Sequence, residues 1–282
     1  LTDVEEKLAG EYPAIDQALR LFASRQIRHR ATLGGNLVTA SPIGDTPPVL
    51  LVFDASVVLT SLKGERAVPL AGFFSGYRQT VMRPDELMTA ILLPRKLPGR
   101  SQFHKVSKRR EMDISTVSAA FRIATDASGL VIEARLAYGG VAATPARALK
   151  TEAALIGKPL QATPEILALL DSEFSPLTDL RGTATYRKSL ILSLFQKFIA
   201  SPPKSPPLIT DHCSLGTSSL PHESAIGHVT GQALYVHDTA LRRGTLTVWP
   251  VRSPHAHATL TRLDISKAAL APGVHTILTT AD

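Results

Sequence analysis

Cysteine is nearly absent from this sequence, which has Cys213 as its single thiol among 282 residues. One thiol excludes an intramolecular disulfide framework, and it excludes any zinc or iron–sulfur site made of about four cysteines within this chain. Because disulfides persist mainly in oxidising compartments, this count favours a reducing compartment. We therefore expect a cytoplasmic protein.

Long apolar runs are also missing. Asp54 ends the run at Val49–Phe53, and Gln196 and Lys197 interrupt the run at Ser189–Ala200, whereas a helix that crosses a bilayer needs about 20 apolar residues. We therefore expect a soluble protein without a membrane partner. The N-terminus has neither an initiator Met nor a basic and then apolar signal stretch, which predicts that the chain is an internal fragment of a longer protein.

The remaining composition is that of an ordinary globular protein, with 44% hydrophobic and 20% charged residues. At roughly 150 residues per domain, the length predicts at least two domains. Lysine and arginine number 31 against 24 acidic residues, so the formal net charge of +7 permits an anionic partner. The densest basic cluster lacks interleaved aromatic residues on which bases could stack, so we expect no nucleic-acid partner and keep charge-driven nucleic-acid binding as the weakest alternative. The cluster consists of Lys105, Lys108, Arg109 and Arg110.

Periodicity and turn residues predict mixed helix and strand in the first part of the chain. The predicted elements are a helix from Pro13 to about Ser24, a loop or short helical turns at Thr32–Pro48, strands at Ala55–Leu62 and Glu86–Leu93, and a turn at Lys63–Gly64.

After the linker-like residues Leu97-Pro98-Gly99, the pattern changes to two alternating, half-buried strands followed by helices, which indicates the α+β class. The predicted elements are strands around Val117–Ile123 and Ile132–Tyr138, a hairpin turn at Asp126–Gly129, and helices from Pro145 to Ile156, Pro164 to Leu170 and Thr185 to Ala200. The Pro-rich segment Ser201–Pro207 predicts a stiff spacer. Beyond it, strands are predicted at Ala233–Val236, Leu246–Val251 and Gly273–Thr279.

A diglycine run follows the first predicted helix. In Thr32-Leu33-Gly34-Gly35-Asn36, two residues without Cβ atoms would let backbone N–H groups approach an anion, and the flanking hydroxyl and amide are further donors. The run therefore has the residues that a phosphate-binding turn requires. Diglycine turns without a ligand are common, so a purely structural role stays open.

Asp45 follows nine residues after Asn36, in the constrained segment Ser41-Pro42-Ile43-Gly44-Asp45. A carboxylate there could accept hydrogen bonds from the hydroxyls of a sugar or polyol, or it could be a turn or helix-cap aspartate. With the diglycine run it would supply donors for a diphosphate and an acceptor for a ribose.

Several segments together resemble the FAD domain of the xanthine dehydrogenase family of molybdenum hydroxylases. They are Gln26–Arg28, Ala31–Asn36, Ala40–Pro42 and Gly44–Asp45, continued by Phe73–Arg78 and Arg83–Leu87. Arg109-Arg110-Glu111 with Asp113-Ile114-Ser115 is similar to the start of the family's flavoprotein C-terminal domain. Gly227–Tyr235 and Val251–Ala258 resemble the opening of its α/β hammerhead.

The resemblance implies nine FAD-binding residues. It implies that the diglycine loop and its neighbours hold the FAD phosphates, that Asp45 makes a polar contact to FAD, that Phe22 lies against the cofactor, and that Met88 lies near the isoalloxazine ring. Lys105 matches a lysine near the flavin, with an exposed strand lysine as the alternative. The loop residues are Thr32, Leu33, Gly34, Gly35 and Asn36.

The implied architecture is α+β in four parts. Residues 1–97 are the C-terminal half of a PCMH-type FAD-binding domain, 101–200 a CO dehydrogenase flavoprotein C-terminal-like domain, 201–220 a linker, and 221–282 the start of an incomplete hammerhead. The upstream half of the FAD domain, with a second pyrophosphate loop, would lie before Leu1. His255 and His257 would share one strand face, but without a third ligand we assign no metal site.

The resemblance implies a molybdoflavoenzyme in which FAD relays electrons from molybdenum and iron–sulfur centres to NAD or oxygen during purine or aldehyde hydroxylation. Molybdopterin and [2Fe-2S] clusters are expected only in other parts of the enzyme, which we expect to be a homo-oligomer, and no catalytic residue for the substrate step lies in this chain. Met112 stands where some relatives have an acid, so NAD access stays open. The alternatives are a non-catalytic scaffold and part of an aldehyde oxidase or CO dehydrogenase.

Overall fold

The computed structural model describes residues 1–95, 97–109, 112–201 and 261–279, together with residues 230, 232, 246, 248, 251 and 259. The chain divides into two compact units, Leu1–Ser214 and Leu215–Asp282. The first unit contains both sheets of the described chain that have three or more strands, and it contains all nine predicted site residues.

The first unit combines eight described helices with nine strands. The helices are α1 (Thr2–Lys7), α2 (Pro13–Leu21), α3 (Arg25–Arg30), α4 (Leu33–Val38), α5 (Thr46–Val52), α6 (Leu149–Leu155), α7 (Pro164–Ser172) and α8 (Ala184–Ala200). The strands are β1 (Ser56–Ser61), β2 (Gly64–Pro69), β3 (Phe74–Gly76), β4 (Gln79–Thr80), β5 (Leu87–Leu92), β6 (Arg100–Val106), β7 (Val117–Thr125), β8 (Val131–Gly139) and β9 (Ala146–Arg147). The α+β class predicted from the sequence is confirmed.

The first sheet is antiparallel with the strand order β2-β1-β5. Val57 and Leu59 of β1 are fully buried and alternate with half-buried neighbours, which is the period of two that β-branched stretches predict. The predicted strands at Ala55–Leu62 and Glu86–Leu93 are therefore confirmed, and the predicted helix from Pro13 is confirmed with its end at Leu21.

The second sheet is antiparallel with the order β6-β7-β8-β9. Its predicted hairpin is confirmed, because Asp126 Oδ1 accepts hydrogen bonds from the N–H groups of Ser128 (2.9 Å) and Leu130 (3.0 Å) and so closes the turn between β7 and β8. The three predicted helices that follow are also confirmed as α6, α7 and α8.

The prediction that both hairpin strands are half-buried is wrong for β7, which is buried from Val117 to Ala124. Its two faces pack on different cores. Phe121 packs in an aromatic cluster with Tyr138 and Phe198, at ring-centroid distances of 5.4 and 5.2 Å, beneath the C-terminal helices. Ala120, on the opposite face, belongs to the core around α2 and α5. A strand covered on both sides has no solvent-exposed face.

Helix α5 is held against the second sheet by a buried arginine. Arg122 of β7 is 1% exposed, and its Nε donates to the carbonyl oxygen of Val52 at 2.8 Å. Its two terminal nitrogens donate to the carboxylate of Glu133 at 2.9 and 2.8 Å. Asp54, just beyond α5, accepts from Arg135 and Arg147. The C-terminal end of α5 is therefore fixed to β7, β8 and β9.

Strand β6 was not predicted, because its sequence RSQFHKV places polar residues at buried positions. Ser101 and Gln102 are buried where α2 packs on the strand. Two hydrogen bonds join polar groups of α2 and β6 at this contact. The N–H of Ala14 donates to Ser101 Oγ at 3.3 Å, and the N–H of Phe103 donates to Gln17 Oε1 at 2.8 Å. Short α1, α3 and β9 were also not predicted.

The predicted boundary at 97–101 begins in the connection between β5 and β6 and ends within β6, and the division into domains there stays a prediction. In the second unit, the described residues include one short helix, α9 (Ser266–Ala269). The predicted strand Gly273–Thr279 is wrong: Gly273 ends a turn, and Val274–Thr279 has no strand partner among the described residues. The predicted spacer beyond Ser201, the predicted strand Ala233–Val236, half of Leu246–Val251, and His255 and His257 lie outside the described residues.

Gly140 lies at a close approach that a side chain would block. Its φ is +81°, its N–H donates to the carbonyl oxygen of Pro42 at 2.7 Å, and a Cβ would overlap the carbonyl oxygen of Thr116. We expect Gly140→Ala to cost about 1–2 kcal/mol for left-handed strain and about 1–3 kcal/mol more for overpacking. Gly157→Ala is the matched control, because its φ is +75° with open space around the site of a Cβ, so it should cost the strain alone. Urea unfolding measures both, and equal costs would contradict this prediction.

Strand β5 begins at a buried, charged turn. Arg66 donates to both carboxylate oxygens of Glu86, at 2.6 and 2.8 Å, and the Arg83 N–H donates at 2.7 Å. The Arg66 guanidinium first, and then the Arg83 N–H, lower the pKa of Glu86 from 4.5 to about 2.

A lowered folded-state pKa gives stability that is present above the ordinary value and is lost as pH falls through the folded value. We therefore expect the free energy of unfolding to decline from pH 4.5 to pH 2, with a smaller decline in Glu86→Gln. Urea unfolding at a series of pH values measures this. Glu6→Gln, which removes an exposed carboxylate of α1, should retain the full decline, and a decline of wild-type size in Glu86→Gln would refute the assignment.

Candidate functional site

The diglycine run forms the first turns of helix α4 rather than the turn that the pattern suggested. Thr32 is the N-cap residue, with extended backbone, and its Oγ1 accepts a hydrogen bond from the N–H of Gly35 at 2.9 Å. A hydroxyl that satisfies one of the first helical N–H groups favours a helix start at this point. The Gly35 amide is therefore engaged, whereas the N–H groups of Leu33 and Gly34, the first two of the helix, have no intrahelical acceptor.

Neither glycine has an unusual backbone angle, and only Gly35 lies where a side chain would be crowded. A Cβ on Gly35 would lie 3.0 Å from Thr32 Oγ1, which crowds the cap. A Cβ on Gly34 would lie 3.7 Å from Met88 Sδ of β5, an ordinary contact distance. Met88 and Leu33 also pack against the first core. The start of α4 therefore lies beside β5.

Helix α4 is joined to the start of α5 by a side-chain hydrogen bond. Thr46 Oγ1 donates to Asn36 Oδ1 at 2.5 Å. Thr46 is the first residue of α5, and Asp45 is its N-cap residue. Asp45 therefore occupies the helix-cap position that was one alternative, but its side chain makes no cap hydrogen bond to α5.

Asp45 instead binds Lys105 and Ser115. Lys105 Nζ lies 2.7 Å from Asp45 Oδ2, and Ser115 Oγ donates to Asp45 Oδ1 at 2.5 Å. The Lys105 and Asp45 side chains are 5% and 10% exposed, so the interpretation of Lys105 as an exposed strand lysine is wrong. A buried ion pair is maintained when hydrogen bonds satisfy its remaining oxygen, and Ser115 provides one.

Lys105 also connects this pair to Phe22. Its Nζ lies 3.5 Å from the carbonyl oxygen of Leu21, the last residue of α2. Phe22 follows directly and packs against the same core as Met88 and Leu33. These contacts link the nine residues proposed from the resemblance, which span residues 22 to 105. Met88 lies beside α4, and Asn36 binds Thr46. Asp45 binds Lys105, which contacts the residue before Phe22.

The donors and acceptors suit an anionic ligand that also bears hydroxyl groups. The start of α4 presents N–H groups and a positive dipole end, while Asp45 and Lys105 supply a carboxylate and an ammonium within one hydrogen bond of each other. Phe22, Leu33 and Met88 are half-buried apolar side chains that all pack against the first core. Phosphates, sugar hydroxyls and an aromatic ring system are the groups that such a set accommodates, and FAD has all three.

Sequence reasoning missed the residues that hold the site in place. Thr46 and Ser115 are buried polar residues whose role depends on partners 10 and 70 residues away. Arg187 of α8 is 2% exposed and donates to the carbonyl oxygens of Thr116 and Gly140. The motif Asp113-Ile114-Ser115 was noted for its resemblance, but a periodic pattern carries no signal for a buried serine.

The basic cluster does not form an open cationic surface in the described chain. Lys105 is paired with Asp45, Lys108 Nζ donates to the carbonyl oxygen of Leu180 at 2.7 Å, and Arg109 lies 3.6 Å from Asp113. The Arg109 N–H lowers the pKa of Asp113 by hydrogen bonding. Met112 between them is 60% exposed with φ +51°. Arg110 lies outside the described residues.

Within residues 1–95, 97–109, 112–201 and the described part of the second unit, no group of three His, Cys, Asp or Glu side chains is arranged to hold a metal ion. The helices of the same residues include none that is long and apolar enough to span a bilayer.

Three family models match the chain in succession. Residues 1–96 match the FAD binding domain in molybdopterin dehydrogenase, residues 102–201 match the CO dehydrogenase flavoprotein C-terminal domain, and residues 230–282 match the a/b hammerhead domain of aldehyde oxidase and xanthine dehydrogenase.

Curated relatives cover nearly the whole chain. A nicotinate hydroxylase of Emericella nidulans is 37% identical over 87% of this chain and 20% of its own length. Xanthine dehydrogenases of Emericella nidulans and Gallus gallus are each 33% identical, over 93% and 97% of this chain and 22% and 24% of their own. The chain thus spans between a fifth and a quarter of the length of these relatives.

Solved structures show the same architecture. A carbon monoxide dehydrogenase from Hydrogenophaga pseudoflava matches with a TM-score of 0.65 at 29% identity, over 69% of each chain. A quinoline 2-oxidoreductase from Pseudomonas putida 86 matches with a TM-score of 0.59 at 25% identity, over 64% of each chain. The chain belongs to the xanthine dehydrogenase family of molybdenum hydroxylases, of which it carries the FAD-binding, flavoprotein C-terminal and partial hammerhead regions.

Proposed function

We propose that this chain binds FAD through the nine residues from Phe22 to Lys105 and that it serves electron transfer in a xanthine dehydrogenase-like molybdoflavoenzyme. The observation that supports this most directly is the contact network that joins a helix start, an ion pair and an apolar cluster from distant parts of the sequence. Family membership supports FAD as the ligand.

In this proposal the start of α4 binds the phosphates. The N–H groups of Leu33 and Gly34 and the exposed Thr32 hydroxyl are the donors, and the Asn36 amide nitrogen remains a donor because its Oδ1 accepts from Thr46. Hydrogen bonds to charged groups contribute about 1.5–3 kcal/mol each. A few such bonds are enough to orient a diphosphate.

Asp45 accepts a hydrogen bond from a hydroxyl of the FAD sugar or polyol chain. Both of its oxygens already have a partner, but each carboxylate oxygen has two lone pairs. The 2.7 Å contact with Lys105 fixes the carboxylate in place. Phe22, Leu33 and Met88 provide the apolar surface for the ring system.

Lys105 places a positive charge at the flavin. FAD supplies the capacity to accept electrons and pass them on, and negative charge accumulates on its ring when it does so. The Lys105 ammonium, near the bound ring, would stabilise that charge and would raise the reduction potential. Asp45, at 2.7 Å, partly offsets the ammonium, so the net field at the flavin depends on both residues.

The shared region supports a role in the step that these relatives have in common. Relatives named for nicotinate, xanthine, carbon monoxide and quinoline all contain it, which supports the proposal that substrate choice lies in other parts of the enzyme. We propose that molybdopterin and [2Fe-2S] centres lie in other parts of the enzyme, where they oxidise a purine, an aldehyde or a related compound. NAD or oxygen then takes the electrons from FAD. We propose that the intact enzyme is homo-oligomeric and cytoplasmic.

FAD affinity separates this function from a non-catalytic scaffold. Titration of FAD into the chain, alone and with the upstream half of the FAD domain restored, should give a flavin absorption band that co-purifies with the protein and a rise in its thermal midpoint. Failure to retain flavin in both forms would reject the proposed function.

Gly35→Ala should weaken FAD binding about tenfold, because the new Cβ displaces Thr32 Oγ1 and loosens the cap that orders the start of α4. Gly72→Ala is the matched control, since Gly72 has open space where a Cβ would be, and it should bind FAD as the wild type does. Isothermal titration measures both dissociation constants. If the two variants bind equally, α4 does not hold the phosphates.

A further inference from the structure

Ser115 is buried beside the ion pair and is fixed in position by its neighbour. It is 1% exposed and lies two residues before β7. The N–H of Thr116 donates to the carbonyl oxygen of Val106 at 2.7 Å, and the Thr116 carbonyl oxygen accepts from Arg187. Because the Thr116 backbone is held at both its N–H and its carbonyl oxygen, the adjacent Ser115 hydroxyl has a defined location.

The two oxygens of Asp45 are divided between two partners. Lys105 Nζ binds Oδ2 at 2.7 Å, and Ser115 Oγ donates to Oδ1 at 2.5 Å. A carboxylate held at one oxygen can rotate about its Cβ–Cγ bond, whereas hydrogen bonds at both oxygens fix its plane. The orientation of Asp45 is therefore set by Ser115 as well as by Lys105.

The position of the Lys105 ammonium depends in turn on Asp45. Its contact with the Leu21 carbonyl oxygen, at 3.5 Å, is too long to be a strong hydrogen bond. The lysine side chain has several rotatable bonds, and the 2.7 Å contact with Asp45 Oδ2 selects one of its arrangements. A change at Ser115 should thus move a charge that Ser115 does not contact.

We propose that Ser115 is a positioning residue of the flavin site: its hydrogen bond to Asp45 holds the carboxylate so that Lys105 is kept in one place for the flavin. This inference rests on the proposed function for its consequence at FAD. The link from Ser115 through Asp45 to Lys105 can be measured without FAD.

The first measurement is the acylation rate of Lys105 by acetic anhydride in the 282-residue chain, read by peptide mass spectrometry and normalised to exposed Lys150. Ser115→Ala should raise the rate on the order of tenfold, the effect of losing one hydrogen bond to a charged group. In an Asp45→Asn background, where the ion pair is already absent, Ser115→Ala should change the rate less than twofold.

Two control variants exclude general loosening of the fold. Ser118 of β7 is fully buried, lies opposite Lys105 in the strand register, and has a hydroxyl with no hydrogen-bond partner among the described residues. Ser118→Ala should therefore leave the rate unchanged. Gly157→Ala destabilises the chain away from the site and should also leave it unchanged. The thermal midpoint of each variant is recorded alongside.

The second measurement is the flavin midpoint potential of the FAD-loaded protein. Ser115→Ala should lower it, in the same direction as Lys105→Ala, and Ser118→Ala should not. An unchanged Lys105 acylation rate in Ser115→Ala overturns the inference, and so does an unchanged flavin potential. Loss of FAD binding in the wild-type protein would reject the proposed function instead, and the two failures are therefore distinguishable.

Discussion

The site depends on one buried ion pair, between Lys105 Nζ and Asp45 Oδ2 at 2.7 Å. Removing two charges from water costs several kcal/mol per ion, and removing one partner of such a pair costs about 3–5 kcal/mol because the other charge is left buried. The pair is tolerated because Ser115 satisfies the second oxygen of Asp45. Lys105 belongs to β6 and Asp45 precedes α5, so the pair fixes the start of α5 on the second sheet.

Helix α5 is thus held at both ends by charged groups of the second sheet. Arg122 binds its last carbonyl oxygen, and Asp54, just beyond it, binds Arg135 and Arg147. The hydrogen bond between Asn36 and Thr46 extends this support to α4. A ligand bound at the start of α4 would therefore rest on residues from both sheets, which is consistent with proposed FAD-binding residues that span positions 22 to 105.

The parts of the site that the sequence could predict are those with a local signal. The diglycine run, Asp45 and the strand that contains Met88 all follow from residue type and spacing, and the family resemblance added Phe22 and Lys105. Ser115, Thr46 and Arg187 could not be predicted, because a buried polar residue is recognised only by its distant partners. The burial of β7 on both faces was missed for the same reason, because Ala120 packs on a helix that lies about 70 residues earlier in the chain. Strand β6 was missed because its buried positions carry polar residues.

The central claim is that the Asp45–Lys105 ion pair and the flavin site act as one unit. A double-mutant cycle on FAD affinity tests this claim most directly. Asp45→Asn and Lys105→Met would be measured singly and together in the protein with the complete FAD domain, by isothermal titration. If the pair acts as a unit, each single variant weakens binding and the double variant is little weaker than the worse single one, with a coupling energy of about 1–3 kcal/mol. Additive losses, within about 0.5 kcal/mol, would contradict the account.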